Sequence, residues 1–145
     1  MGLDEFKSEQ KSQYRAYSEH EHNEKLQDIV DQYQKRFPID LRIQFIEVSS
    51  RMTKHAAMAY KRDGKKYYIR VSENFIERSN DEQLHRTVIH EMVHVYMYQI
   101  GMDNENHGKY FRWVLGRVGG SFTGETIHNT KWEKCVQPFI EKSDL

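Results

Sequence analysis

"TVIHEMVHVYMYQIGMDNENHGKYF", residues 87–111, holds three of the chain's eight histidines. Its reading decides the rest. Either His90, Glu91, His94 and His107 belong to one metal site, or this is only a helix rich in histidine. On a helix, residues four apart share a face and lie roughly 6 Å apart along the axis. The imidazoles of His90 and His94 can therefore converge on one ion. Neutral imidazole nitrogens suit zinc, which prefers four tetrahedral ligands. Glu91, next to the first histidine, sits at the edge of the same site. It reaches a water held there without being a ligand itself.

A catalytic zinc site commonly takes three protein ligands and leaves the fourth position to water. His107 is the candidate third ligand. It lies thirteen residues after His94, and a helix, a turn at Gly101 and a short loop bring the chain back over that span. Gly108 beside it permits close backbone approach. His128 is the fallback. His85 points to a different side of the helix, and His20 and His22, two residues apart, do not share a face. His55 neighbours basic residues. These four read as surface histidines. The plain alternative to a metal site is a histidine pair packed in a core. However, Val88, Ile89, Met92, Val93 and Val95 surround the motif, and unpartnered imidazoles plus a carboxylate are costly among apolar neighbours. The metal reading is preferred, and the H-E-x-x-H spacing is that of metallopeptidases.

Outward from this stretch, residues 4–36 carry no Gly or Pro and are dense in Glu, Lys and Gln, which predicts a helix. Leu26, Ile29, Val30 and Tyr33 recur at helical steps, so its second half packs on a core. Its first half is more polar. Pro38 ends it. Residues 41–48, LRIQFIEV, read as a strand. Residues 56–62 and 65–71 flank Asp63-Gly64, a strong hairpin signal that calls for positive φ at both turn positions. Ser79-Asn80-Asp81-Glu82 has capping-box form, predicting a helix from Ser79 through Gln99 that stops at Gly101. The next helix begins near His107, turns Phe111, Val114, Leu115 and Val118 inward, and ends at Gly119-Gly120. Residues 131–141, with Trp132, Val136 and Phe139 apolar, form a short closing element.

The chain of 145 residues has 22 Lys plus Arg and 22 Asp plus Glu. A balanced charge gives no global argument for nucleic-acid or membrane binding. Cys135 is the single cysteine, which excludes an internal disulfide and any zinc knuckle built on cysteine pairs. The polar N-terminus lacks the apolar core of a signal peptide, and no apolar run is long enough to span a bilayer. The expectation is one cytoplasmic domain with no membrane contact. It comprises an N-terminal helix over about 4–36, a core over about 37–120 and a closing segment over 121–145.

The order of features resembles SprT-like (Spartan-type) zinc metallopeptidases. A basic hairpin holds "MTKHAAMAYKR" and "KYYIRVSENF". A short acidic cap and "HEMVHVYMY" follow, and "HGKYF" opens the next helix. The resemblance covers about residues 41–118. It implies an α+β, zincin-like fold: an N-terminal helix, a small antiparallel sheet of about three strands, the HExxH helix, and a following helix carrying the third ligand. It also implies His90, His94 and His107 as zinc ligands, Glu91 as the catalytic carboxylate, and a gluzincin- or metzincin-like protease acting on intracellular protein or peptide. Eukaryotic members of that family cleave proteins crosslinked to DNA. This sequence departs in two places. It shows no cysteine-based zinc ribbon after the peptidase region, and Val95 follows the second histidine where Ala is common.

Two further readings stay open from sequence: a non-catalytic, zinc-stabilised binding or adaptor domain, and a zinc hydrolase with a non-protein substrate. An intact Glu91 favours catalysis, because a structural site needs only ligands. In the hydrolytic reading Glu91 takes a proton from the activated water and delivers it to the leaving amine. Tyr96, Tyr98 and Tyr110 lie nearby in sequence as oxyanion candidates, but each reads more simply as a packing residue. An extended substrate would add along 56–62. Nucleic acid is a separate question. Arg51, Lys54, Lys61, Arg62, Lys65, Lys66 and Arg70 face only Asp63 within residues 51–70. With Tyr60, Tyr67 and Tyr68 interleaved, they suit phosphates and unpaired bases. The simpler reading is a solvated hairpin whose lysines blunt an exposed edge.

Overall fold

The computed structural model describes residues 3–102 and 107–119, with side chains from residue 18 onward. The elements run α1 (Leu3–Gln34), β1 (Ile43–Ser49), β2 (Ala57–Arg62), β3 (Lys66–Ser72), α2 (Glu73–Arg78), α3 (Asp81–Gln99) and α4 (Lys109–Gly119). The fold is α+β. The closing element at 131–141, Cys135, His128, Gly120 and the polar first half of α1's face lie outside the described residues or side chains.

Leu26, Ile29, Val30 and Tyr33 of α1 are all buried. The helix unwinds where the N–H groups of Arg36 and Phe37 turn back to the carbonyls of Tyr33 and Gln34, just ahead of Pro38, which cannot continue a helix. The strand order is β1-β3-β2. β2 and β3 form the antiparallel hairpin, whereas β1 pairs parallel to β3. The sheet is therefore mixed rather than antiparallel throughout. The hairpin places β3, which runs the same way as β1, between β1 and β2. β3 buries Tyr67, Ile69 and Val71 and takes the centre. β2, with Lys61 and Arg62 exposed, takes an edge, where charge blunts unwanted pairing.

Two local details also differ from the expectation. The hairpin pairs Arg62 with Lys66, leaving a three-residue loop in which Gly64 (φ 77) and Lys65 (φ 59) are left-handed, not Asp63. The capping box lies one residue later: the Asn80 side chain accepts from the Gln83 N–H at 2.8 Å, and the Gln83 side chain accepts from the Asn80 N–H at 3.0 Å. Ser79 is already used, closing the unexpected helix α2 through its N–H to the Phe75 carbonyl. That helix has its own cap, as Ser72 Oγ accepts from the Phe75 N–H.

Helix α3 stops as its sequence suggests. Gly101 has φ 78. The N–H of Met102 reaches the Met97 carbonyl and that of Gly101 reaches the Tyr98 carbonyl, the paired bonds of a Schellman stop. In α4, Phe111, Val114, Leu115 and Val118 are each 1% exposed or less. Arg36 Nη1 donates to the Val118 carbonyl at 2.8 Å, tying the end of α1 to the end of α4. Among the described residues no helix is long and apolar enough to cross a membrane.

Candidate metal centre

Helix α3 buries Val88, Ile89, Met92, Val93 and Val95, and this fixes its rotation. His90 and His94 then stand one above the other on the cleft-facing side, with ring centroids 5.0 Å apart. His107, two residues before α4, completes the group. Its Nε2 lies 3.1 Å from His90 Nε2 and 2.9 Å from His94 Nε2. The Phe111 ring forms the floor, with its centroid 5.1 Å from the His90 ring, 4.6 Å from His94 and 5.0 Å from His107. Phe111 is a second role that its sequence pattern hid, since it reads simply as a core position of α4.

This donor set fits a cation. Burial pushes His90 and His94 down to about 4, and the neighbouring imidazoles push the same way. His107 is also lowered, by burial and then by Arg112. The rings are thus neutral at pH 7. One proton on His107 Nε2 can serve only one of the two nitrogens facing it, whereas one positive ion serves all three lone pairs. Ligands about 2.0 Å from a tetrahedral zinc stand about 3.3 Å from one another, close to the spacing here. Among the described residues these three form the group able to hold a metal ion.

Glu91 is only 7% exposed. Burial raises its carboxyl to about 7, against the opposing effect of a hydrogen bond from the Ala59 backbone. Ala59 belongs to β2, whose other side pairs with β3. The acid is thus held between the three imidazoles and the sheet edge that has no strand partner among the described residues. A cleft of about 640 Å³ runs there, lined by Ala56, Ala57, Met58 and Ala59 on one wall and by Thr87, His90, Glu91 and His94 on the other. Its volume is in the range of ligand-binding clefts.

Of the three tyrosines raised as oxyanion donors, Tyr96 and Tyr110 are buried and bond to each other at 3.2 Å. Tyr98 lines the cleft. Its ring stacks on Tyr67 at 5.8 Å and lies 6.2 Å from His94, with Lys61 Nζ 4.7 Å above it.

The other described histidines have separate tasks. Exposed His20 pairs with Glu24, His22 approaches Ser18, and half-buried His85 bonds Tyr33 through Nδ1 at 3.0 Å. His55, read from sequence as a surface residue, lines the cleft mouth. Nothing in its neighbours signals this, because the position follows from β2 taking the edge. The hairpin cations do not form one patch. Lys61 and buried Tyr67 face the cleft side, Arg62, Arg70, Tyr60 and Tyr68 face outward, and Lys65 and Lys66 flank the turn.

A model of the SprT-like family matches residues 22–134. The chain belongs to the SprT-like family. The matched span contains the hairpin, Glu91 and all three metal-centre histidines of this SprT-like chain. The family suggests a zincin-like metallopeptidase fold, with which the arrangement of helices and edge strand agrees. A search of curated proteins found no match.

Proposed function

We propose that this SprT-like chain is a zinc-dependent peptidase that hydrolyses extended segments of protein substrates. The carrying observation is the convergence of three imidazole nitrogens beside a buried carboxylate, on a cleft walled by a sheet edge that no described strand pairs. His90, His94 and His107 hold the ion, which supplies a Lewis acid and lowers the pKa of a bound water.

The chain's own residues do the rest. Glu91, with its carboxyl raised to about 7, is matched to taking a proton near neutral pH and giving it to the departing amine. The edge of β2 offers backbone groups for a substrate strand, with alternate side chains pointing into the cleft. Phe111 packs against all three imidazoles and keeps their lone pairs aimed at one point. Of the three tyrosines, Tyr98 lines the cleft and is the one we assign to the scissile carbonyl.

The test is metal analysis of the purified protein together with cleavage of an unfolded protein such as casein. Zinc at one equivalent, cleavage lost on chelation and restored by zinc, and no cleavage by Glu91→Gln support the reading. Undiminished cleavage by Glu91→Gln removes it. One bound zinc without cleavage of any protein favours the binding-domain alternative.

A further inference from the structure

The two faces of the sheet use their surface differently. On the outer face the rings of Phe45, Tyr68 and Tyr60 stack across the three strands, with centroids 5.0 and 4.8 Å apart, and this ladder fills its own surface. The inner face of β2 does the opposite. Ala57 lies across from Val71 and Ala59 across from Ile69, and both β3 partners are fully buried. Alanine is a poor strand former, and valine or isoleucine would suit either position better. Strand propensity therefore does not account for Ala57 and Ala59. Room does, because the cleft lies where longer side chains would stand.

The backbone shows what can use that room. The Ala56 carbonyl accepts from the Ser72 N–H at 2.8 Å. Backbone groups alternate in direction along an antiparallel strand. Ala56, Met58 and Tyr60 thus bond to β3, and Ala57, Ala59 and Lys61 turn their backbone groups to the edge that no described strand pairs. The hydrogen bond from the Ala59 backbone to Glu91 runs from that edge. A substrate strand added there places the residue beside Ala57 with its side chain on the inner face. β2 and α3 run side by side, since Ala59 meets Glu91 and Lys61 Nζ lies 4.7 Å over the Tyr98 ring. Ala57 therefore stands toward the amino-terminal half of α3, at the end of the cleft that Thr87 of α3 and Phe75 of α2 also line. Both are half-buried. Gln83 and Arg86 line the cleft as well, which makes an acidic side chain the competing occupant. A carboxylate paired with Arg86 would, however, lose its water against Phe75 and the alanines, at a cost in desolvation.

We infer that this end of the cleft takes one bulky apolar side chain of the substrate, of leucine or phenylalanine size, and that Ala57 sets the size limit. The inference rests on the peptidase reading for its role in choosing the bond that is cut. The pocket itself can be tested without hydrolysis.

The experiment is fluorescence anisotropy of the zinc-loaded Glu91→Gln chain with labelled heptapeptides of alanine and serine. One central residue is varied among alanine, leucine, phenylalanine, glutamate and lysine. The leucine and phenylalanine peptides should bind about tenfold tighter than the alanine peptide. Ala57→Val, a change that suits a strand, should remove most of that gain with an unaltered circular dichroism spectrum. Phe75→Ala, which takes away the ring on α2, should weaken the phenylalanine peptide by a similar factor. In casein digests by the unaltered chain, mass spectrometry should find a bulky apolar residue at one fixed position from the cut, and Ala57→Val should lose that preference. Cleavage with no fixed preference leaves the peptidase standing and removes this pocket. The expected order of peptides without any cleavage keeps the pocket and removes the peptidase. Equal binding of all the peptides, a preference for glutamate, or a leucine preference that Ala57→Val leaves intact overturns the inference.

Discussion

On the inner face of β3, Tyr67, Ile69 and Val71 are 4% exposed or less. One residue along, on the outer face, Tyr68 and Arg70 are half-buried and lie against other rings and charges. The inner face presses on the helices and sets the rotation of α3, and with it the placement of His90 and His94. The outer face has no helix among the described residues and fills its surface with stacked aromatics instead. The same strand thus serves two environments at a period of two. Rigidity of the first and accessibility of the second follow from which neighbours each side chain meets.

The largest contrast between the faces should appear in catalysis. Glu91→Gln is expected to lower cleavage about 10³-fold while metal content, measured by atomic absorption, stays at the unaltered level. A parallel loss of metal would mean that the carboxylate is part of the ligand set. Next, Ile69→Ala on the inner face should cost about 3 kcal/mol in denaturant unfolding. Tyr68→Ala on the outer face should cost about 1 kcal/mol. Equal costs would show that the outer ladder is core in disguise.

A third contrast is in pH. The folded Glu91 carboxyl is raised to about 7 from an ordinary 4.5. The folded metal-free chain therefore binds more protons than the unfolded chain between those values, and stability falls as pH rises through them. The cost is fully present above about pH 7 and absent below about pH 4.5. Glu91→Gln should stabilise the metal-free protein at pH 8 by something on the order of 1–3 kcal/mol, and thermal melts at pH 4 and pH 8 should show that gain vanish at the lower pH. The smallest effect belongs to Arg70→Gln. Its ion pair with Glu47 is more than a third exposed on both sides, so less than about 1 kcal/mol should be lost.

Much of the inner face was legible from the residues. Helical spacing of Leu26, Ile29, Val30 and Tyr33, and of Phe111, Val114, Leu115 and Val118, identified buried stripes, because apolar periodicity is local information. The same holds for the juxtaposition of His90 and His94, which four-residue spacing dictates. The approach of His107 needed a tertiary turn, and a Gly101 stop signalled that it would come. What stayed hidden was set by competition between neighbours. A register shift between Ile43 and Phe45 sends Phe45 outward and Ile46 inward, although Leu41, Ile43 and Phe45 alternate as if on one face. Ser79 closes one helix and so cannot open the next. The parallel pairing of β1 follows from β3, rather than β2, taking the centre, a comparison among strands that no single window contains. For the same reason His55 read as an ordinary surface residue.

The Arg36 guanidinium grips the Val118 carbonyl across 82 positions of chain. It joins the helix that opens the described fold to the helix whose base mounts the third imidazole. Fraying at the end of α1 is consequently not a private event of that helix. It loosens the anchorage of α4, and a lesion at Arg36, which touches none of the imidazoles, should surface as faster amide exchange in α4 and weaker retention of the ion.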